Sequence, residues 1–212
     1  MIGQILGLFI YILLATLITY FFCKHRLFTL QTLEELCTSI KAFIFGVPIT
    51  ILFKLMMKPY LKIYYNISTF NIYYLLFSTI IYFIGFDFVN YVMHRILHTK
   101  LMYKYVHSIH HKFKDPTPFG SIAIHPIEMF LNSVIPSTIM SLIIPVHIYV
   151  WLFSYGFHLL WTVLIHDGLK NNKFKKYIMD AEHHGIHHKK PSKNYAFVFS
   201  WWDVLGDTYS NK

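Results

Sequence analysis

Apolar residues in this chain run in long blocks rather than at alternating spacing. The first block is IGQILGLFIYILLATLITYFFC, Ile2 to Cys23. The second runs roughly from Leu36 to Met57 with Lys41 and Pro48 inside it, and the third from Ile72 to Met93. Each is long enough to cross about 30 Å of hydrocarbon at ~1.5 Å per residue. The first lacks a basic start and a small-residue cleavage site, so it reads as a retained span rather than a signal peptide. A fourth stretch, at about 127–165, is interrupted by Pro136 and Pro145. Proline breaks the helix ladder, so this stretch predicts two shorter helices joined near Pro145, a hairpin that enters and leaves on one face. The tail from Asn171 to Lys212 is more polar and is expected to cap that face. The expected fold is an all-α, multi-pass membrane helical bundle with a polar, histidine-rich cap.

Composition agrees with a membrane setting. The chain is 55% hydrophobic and 14% charged, whereas soluble domains carry about 25% charged residues. Mean hydropathy is +0.45 and the pI about 9.4. A net charge of +9 could attract nucleic acid, but no basic helix or nucleic-acid motif is present. A basic face against anionic lipid headgroups is the simpler reading. Lys24, His25 and Arg26 follow the first span at once, and the positive-inside rule puts that end in the cytosol. The second span then leaves and the third returns, so the histidine-rich segment starts on the cytosolic side. Lys54, Lys58 and Lys62 sit at the opposite end and run against this orientation. The two cysteines, Cys23 and Cys37, make neither a disulfide framework nor a metal site.

The polar signal lies in the 14 histidines. His94 and His98 form H-x3-H. His107, His110 and His111 form H-x2-H-H, and His184, His187 and His188 repeat that spacing, with His183 just before them. Positions i, i+3 and i+4 share one face of a helix, so each group is expected to aim its imidazoles at one point. Uncharged imidazoles in such number would be hard to satisfy without a metal. Eight box histidines exceed one ion's needs, so two ions fit better. His166, ending the hairpin in LWTVLIHDG, is a further candidate ligand, as is His183; His158 is a weaker one. His25 and His147 read as lone histidines, and His125 as intermediate.

The four glutamates are Glu34, Glu35, Glu128 and Glu182. None sits in Glu-x-x-His, which excludes the carboxylate di-iron bundle. H-E-x-x-H is also missing, which removes the common zinc protease pattern. Asp87, inside the third apolar run, is a functional candidate because an acid in a membrane helix is costly. It precedes His94 by two turns and is placed to hold a ligand imidazole by its second N–H. Its alternative partners are Tyr91 or another helix.

H94RILH98, H107SIHH111 and H184GIHH188 resemble the three histidine boxes of the fatty acid hydroxylase and sterol desaturase superfamily. D115PTPFGSIAIHP126, L160WTVLIHDG168 and W202DVLGD207 are similar to its sterol C5-desaturase branch. The resemblance implies a catalytic region at 86–212, including the hairpin, preceded by transmembrane helices at 1–85. It implies the box histidines as ligands of two iron ions, with His166 matching the histidine of the His-Asp-Gly element and Thr117 falling in a Pro-Thr-Pro element. Zinc can replace iron in a purified sample, since imidazole tolerates both. The oxidant would be O2, with electrons from NAD(P)H through cytochrome b5 and its reductase. The substrate would be a Δ7-sterol that gains a C5–C6 double bond at the cytosolic face of the endoplasmic reticulum. Phe83, Phe86, Phe113, Phe119 and Trp161 are candidates for lining a sterol slot. Thr99 stands where some relatives carry another histidine. A sterol or fatty acyl hydroxylase uses the same motifs. A metal transporter would need polar residues through its spans, and only Asp87 stands out.

Overall fold

The computed structural model describes residues 2–168, 170 and 176–211. Residues 169 and 171–175, in the lysine-rich segment after Gly168, lie outside them. The apolar blocks form helices α1 (Ile2–Cys23), α2 (Leu30–Met57) and α3 (Ile72–Leu97). The second starts before its apolar block, where Thr29 caps it, and the third starts with its block and runs past it to Leu97. Thr29 accepts a hydrogen bond from the Thr32 N–H to start α2. Asn71 accepts from the Tyr74 N–H to start α3. Side chains of this kind satisfy amides that a helix start leaves open.

A short helix α4 (Lys100–Tyr105) and a 3₁₀ turn at His107–Lys112 follow. The predicted hairpin is α5 (Pro126–Ser133) and α6 (Ile135–Ile143) going out, and α7 (Ile148–Leu164) coming back. Its turn at Pro145 includes a two-residue strand, β2 (Val146–His147), that pairs in parallel with β1 (Ile63–Tyr64). His125 and His147 are N-caps of α5 and α7 through their Nδ1 atoms. The tail forms α8 (Ala181–Lys189) and α9 (Trp201–Leu205).

Among the described residues, four helical stretches are long and apolar enough to cross a membrane: Leu6–Arg26, Leu30–Tyr60, Ile72–Leu97 and Pro126–Ile143. Their outer faces expose Phe9, Phe21, Leu52 and Phe77, a surface suited to lipid rather than water. Inside, Tyr11 and Ala15 of α1 pack with Phe119 and Val163. On the other flank Tyr82 and Phe86 of α3 pack with Met140, Val146 and Val150. Tyr11 and Tyr82 remain polar at their tips, so Tyr11 donates to the Phe119 carbonyl (2.6 Å) and Tyr82 to that of Ser137 (3.1 Å).

These contacts order the bundle end to end. Arg26 bonds Asp167 at 2.8 Å, and Gln31 bonds the Asp115 carbonyl at 2.8 Å. The ends of α1, α2 and α7 therefore meet the histidine-bearing loops. At the other end Lys62 N–H donates to Ser141 O (2.8 Å) and Tyr74 to Pro145 O (2.8 Å). Lys54, Lys58 and Lys62 belong to that second end, and the box histidines gather at the first.

Candidate metal centre

Nine imidazoles meet between α3, the 3₁₀ turn, α7 and α8, and they separate into two groups. His94, His98, His107, His111 and His187 form one; His110, His166, His184 and His188 form the other. Within each group the ligand nitrogens lie within 4.8 Å of one another. The expectation that each box aims at one point is corrected here. In both H-x2-H-H boxes the i and i+4 histidines join one group and the i+3 histidine joins the other. Around a helix, i and i+4 are about 40° apart while i+3 lies on the opposite flank, so one box serves two neighbouring positions. The second box also sits on a 3₁₀ turn rather than an α-helix.

The geometry suits a cation. Nε2 atoms face each other at 3.2 Å for His98 and His187, 3.1 Å for His111 and His107, 3.0 Å for His184 and His166, and 3.2 Å for His188 and His184. Two ligands bound at ~2.1 Å and separated by 90–110° stand about 3.0–3.4 Å apart, the same spacing. The far nitrogens are held from outside. Nδ1 of His94 lies 2.8 Å from Tyr195 O, that of His187 2.7 Å from Lys193 O, and that of His166 bonds Thr162 O. A carbonyl only accepts, so these Nδ1 atoms carry the proton and each Nε2 offers its lone pair inward. Nitrogen donors without thiolate suit borderline divalent metals such as iron or zinc.

Burial keeps the rings in that ligand form. It lowers His98 to about 2 and His111 to about 3, with neighbouring imidazoles adding to the effect, and lowers His166 to about 4. His107, His110, His184, His187 and His188 are held well below the usual range by burial and then by each other.

Three expected site residues stand elsewhere. His183 precedes the third box, a quarter turn off its ligand face, and bonds Asp180 (3.0 Å) and Tyr209 (3.2 Å) instead of joining either group. Asp87 does not reach His94. Its carboxylate accepts from Val198 N–H (2.9 Å), Phe199 N–H (3.1 Å) and Trp202 Nε1 (2.9 Å), because the tail folds across α3 two turns before His94. Thr117 bonds the buried Glu35 carboxylate through its N–H and hydroxyl. It therefore ties the loop to α2 and touches neither histidine group.

Glu128 was missed as a partner. It is 1% exposed, and its Oε1 lies 2.8 Å from His107 Nδ1. The signal was available, since Glu128 is an acid inside an apolar stretch, as Asp87 is. Glu128 falls in no Glu-x-x-His pattern because it stands behind a candidate ligand, His107.

A cavity of about 130 Å³ lies against both groups, reached by His94, His107, His110, His166 and His184. Its other walls are largely apolar and include Phe86, Ile122, Ile124, Met129, Leu159 and Phe197. Of the aromatic residues expected at a sterol slot, Phe86 is there. Phe83 instead packs on Phe157 (4.9 Å between centroids), Phe119 fills the α1 core, and Trp161 donates to Phe197 O at 3.0 Å.

The profile of the fatty acid hydroxylase family matches residues 79–208. The chain is 34% identical to the lathosterol oxidase of Rattus norvegicus, over 97% of this chain and 73% of that protein. It is 34% identical to the lathosterol oxidase of Homo sapiens, over 95% and 71%. It is 33% identical to a Delta(7)-sterol 5(6)-desaturase of Gibberella zeae, over 99% and 62%. No solved structure matches the chain.

Proposed function

Because this chain belongs to the fatty acid hydroxylase family, we propose that it is a membrane-bound, O2-dependent sterol desaturase that places a C5–C6 double bond in a Δ7-sterol. The observation that carries this reading is the apolar cavity floored by both histidine groups. A C–H bond is unactivated, and two hydrogens must leave adjacent carbons. Two bound iron ions would supply the redox chemistry with O2 that this removal needs.

The chain's own part is geometry and exclusion of water. The five and four histidines of the two groups are the proposed ligands, with Glu128, Tyr195 O and Lys193 O fixing ring orientation from outside. Asp87 and Asp203 are positioning residues. Asp203 accepts from the N–H groups of Tyr195 and Ala196, both at 2.8 Å, and Asp87 holds Val198 and Phe199. Together they pin the segment whose carbonyls hold His94 and His187. A lipid substrate enters sideways from the bilayer, and the apolar walls fix its flat body with one edge toward the histidines.

The proposed catalytic region is 86–212, with 1–85 as membrane helices whose ends brace it. The positive residues gathered at the histidine end favour a cytosolic site, at the endoplasmic reticulum, with electrons from NAD(P)H through cytochrome b5 and its reductase. A sterol profile tests the reading. The chain is expressed in cells blocked at C5-desaturation, beside His187→Ala. Δ5,7-sterols with the native chain alone are expected. A hydroxylated sterol instead would overturn the desaturase outcome, and an unchanged profile despite membrane expression would overturn the substrate.

A further inference from the structure

The cavity holds a polar group that the histidine groups do not use. His158 lies in α7 eight residues before His166, about 12 Å along the helix at ~1.5 Å per residue. It lines the cavity and is 5% exposed. Its Nδ1 lies 2.7 Å from Ser154 O. A carbonyl only accepts, so Nδ1 carries the proton and Nε2 presents a lone pair. That Nε2 is buried and has no hydrogen-bond partner among the described residues. The carboxylate facing it, Asp87 Oδ1, is 3.9 Å away, beyond hydrogen-bond range. It is an acceptor too, and its carboxylate already receives three N–H groups.

A buried acceptor without a donor is destabilising, so such groups are normally satisfied. Here the missing partner has to be a donor, and the ring that lacks it lines the cavity. The ring is also held rigidly. Phe197 stacks on it at 10° between planes, and Phe86 lies 4.2 Å away between centroids. A donor reaching Nε2 is thus carried by a body that fits between flat apolar walls. We propose that His158 Nε2 accepts a hydrogen bond from a hydroxyl of the lipid substrate. This single bond makes the site selective for a lipid alcohol and directs the hydroxyl end away from the histidines. The proposal rests on the sterol reading above and adds the residue that would choose the substrate's orientation.

The test is equilibrium binding to the full, metal-loaded chain in lipid nanodiscs, with a labelled Δ7-sterol and its 3-deoxy analogue. The native chain is expected to bind the sterol about tenfold tighter than the analogue. In His158→Phe the sterol should fall to the analogue's affinity, with the analogue itself changed by less than about twofold, since only a hydrogen bond is lost. The analogue thereby reports folding and packing in each variant. His158→Gln, which keeps an acceptor, should retain part of the preference. A preference that survives in His158→Phe, or an equal weakening of both ligands, overturns the role of His158 and leaves the sterol reading standing. Failure of the native chain to bind either ligand overturns both.

Discussion

His107 Nδ1 and Glu128 Oε1 lie 2.8 Å apart, and both side chains are sealed from solvent. The pair joins the second box to the first turn of the hairpin, so the membrane helices and the ligand cluster share one contact. An acid behind a ligand imidazole fixes its tautomer and raises its basicity. Glu128→Ala should weaken metal binding about 10–100-fold. Glu128→Gln, whose carbonyl still accepts from Nδ1, should lose less. Competition with a chelator measures both, and native affinity in Glu128→Ala would remove Glu128 from the site.

Asp87 should matter for architecture before chemistry. Removing its carboxylate leaves two backbone N–H groups and the Trp202 indole buried without acceptors. Each orphan costs about 1–3 kcal/mol, so Asp87→Ala should lower stability by several kcal/mol. It should also loosen the 195–199 segment, read as faster hydrogen exchange there. Native protection in that segment would contradict the positioning role.

Thr117 gives the opposite contrast. Its hydroxyl meets Glu35 away from both histidine groups. Thr117→Val should cost about 1–3 kcal/mol of stability, as expected when a buried carboxylate loses a donor. Its metal content should stay native, measured by elemental analysis of the purified variant. A drop in bound metal with unchanged melting would bring Thr117 into the centre.

Acid should unfold the metal-free chain in a defined window. His98 and His111 are lowered to about 2 and about 3, first by burial and then by nearby charge. In an unfolded chain histidine titrates near ~6.5. Above that value both states hold neutral rings, and the shift has no effect on stability. Below it the unfolded chain takes up protons that the fold refuses, so stability falls as pH drops toward the folded values. Melting of the metal-free protein in detergent should be flat above about pH 7 and fall steeply below ~6.5. Bound metal competes with the same protons and should move the fall to lower pH. A melting temperature unchanged between about pH 7 and 5 would contradict the buried, neutral rings.

The spans, the proline hairpin and eight of the nine clustered histidines were legible because period and spacing are local properties. His166 was legible too, from its place at the returning end of the hairpin. What the spacing could not show was the division of labour. That i and i+4 serve one position and i+3 the other depends on which helices stand opposite, a tertiary fact. His183 misled because adjacency in sequence is not adjacency on a helix face. Asp87 was found as a costly buried acid, but its partners come from a segment 111 residues later. His147, read as a lone histidine, and His125, read as intermediate, take their roles from the helix starts they cap.

Metal stoichiometry tests the central claim most directly. The native chain loaded with iron or zinc should hold two ions. His187→Ala, from the five-histidine group, and His184→Ala, from the four-histidine group, should each weaken one site and spare the other. Two ions in the native chain, with separate losses in the two variants, is the predicted result. One ion in the native chain, or loss of all metal in both variants alike, would contradict two distinct positions.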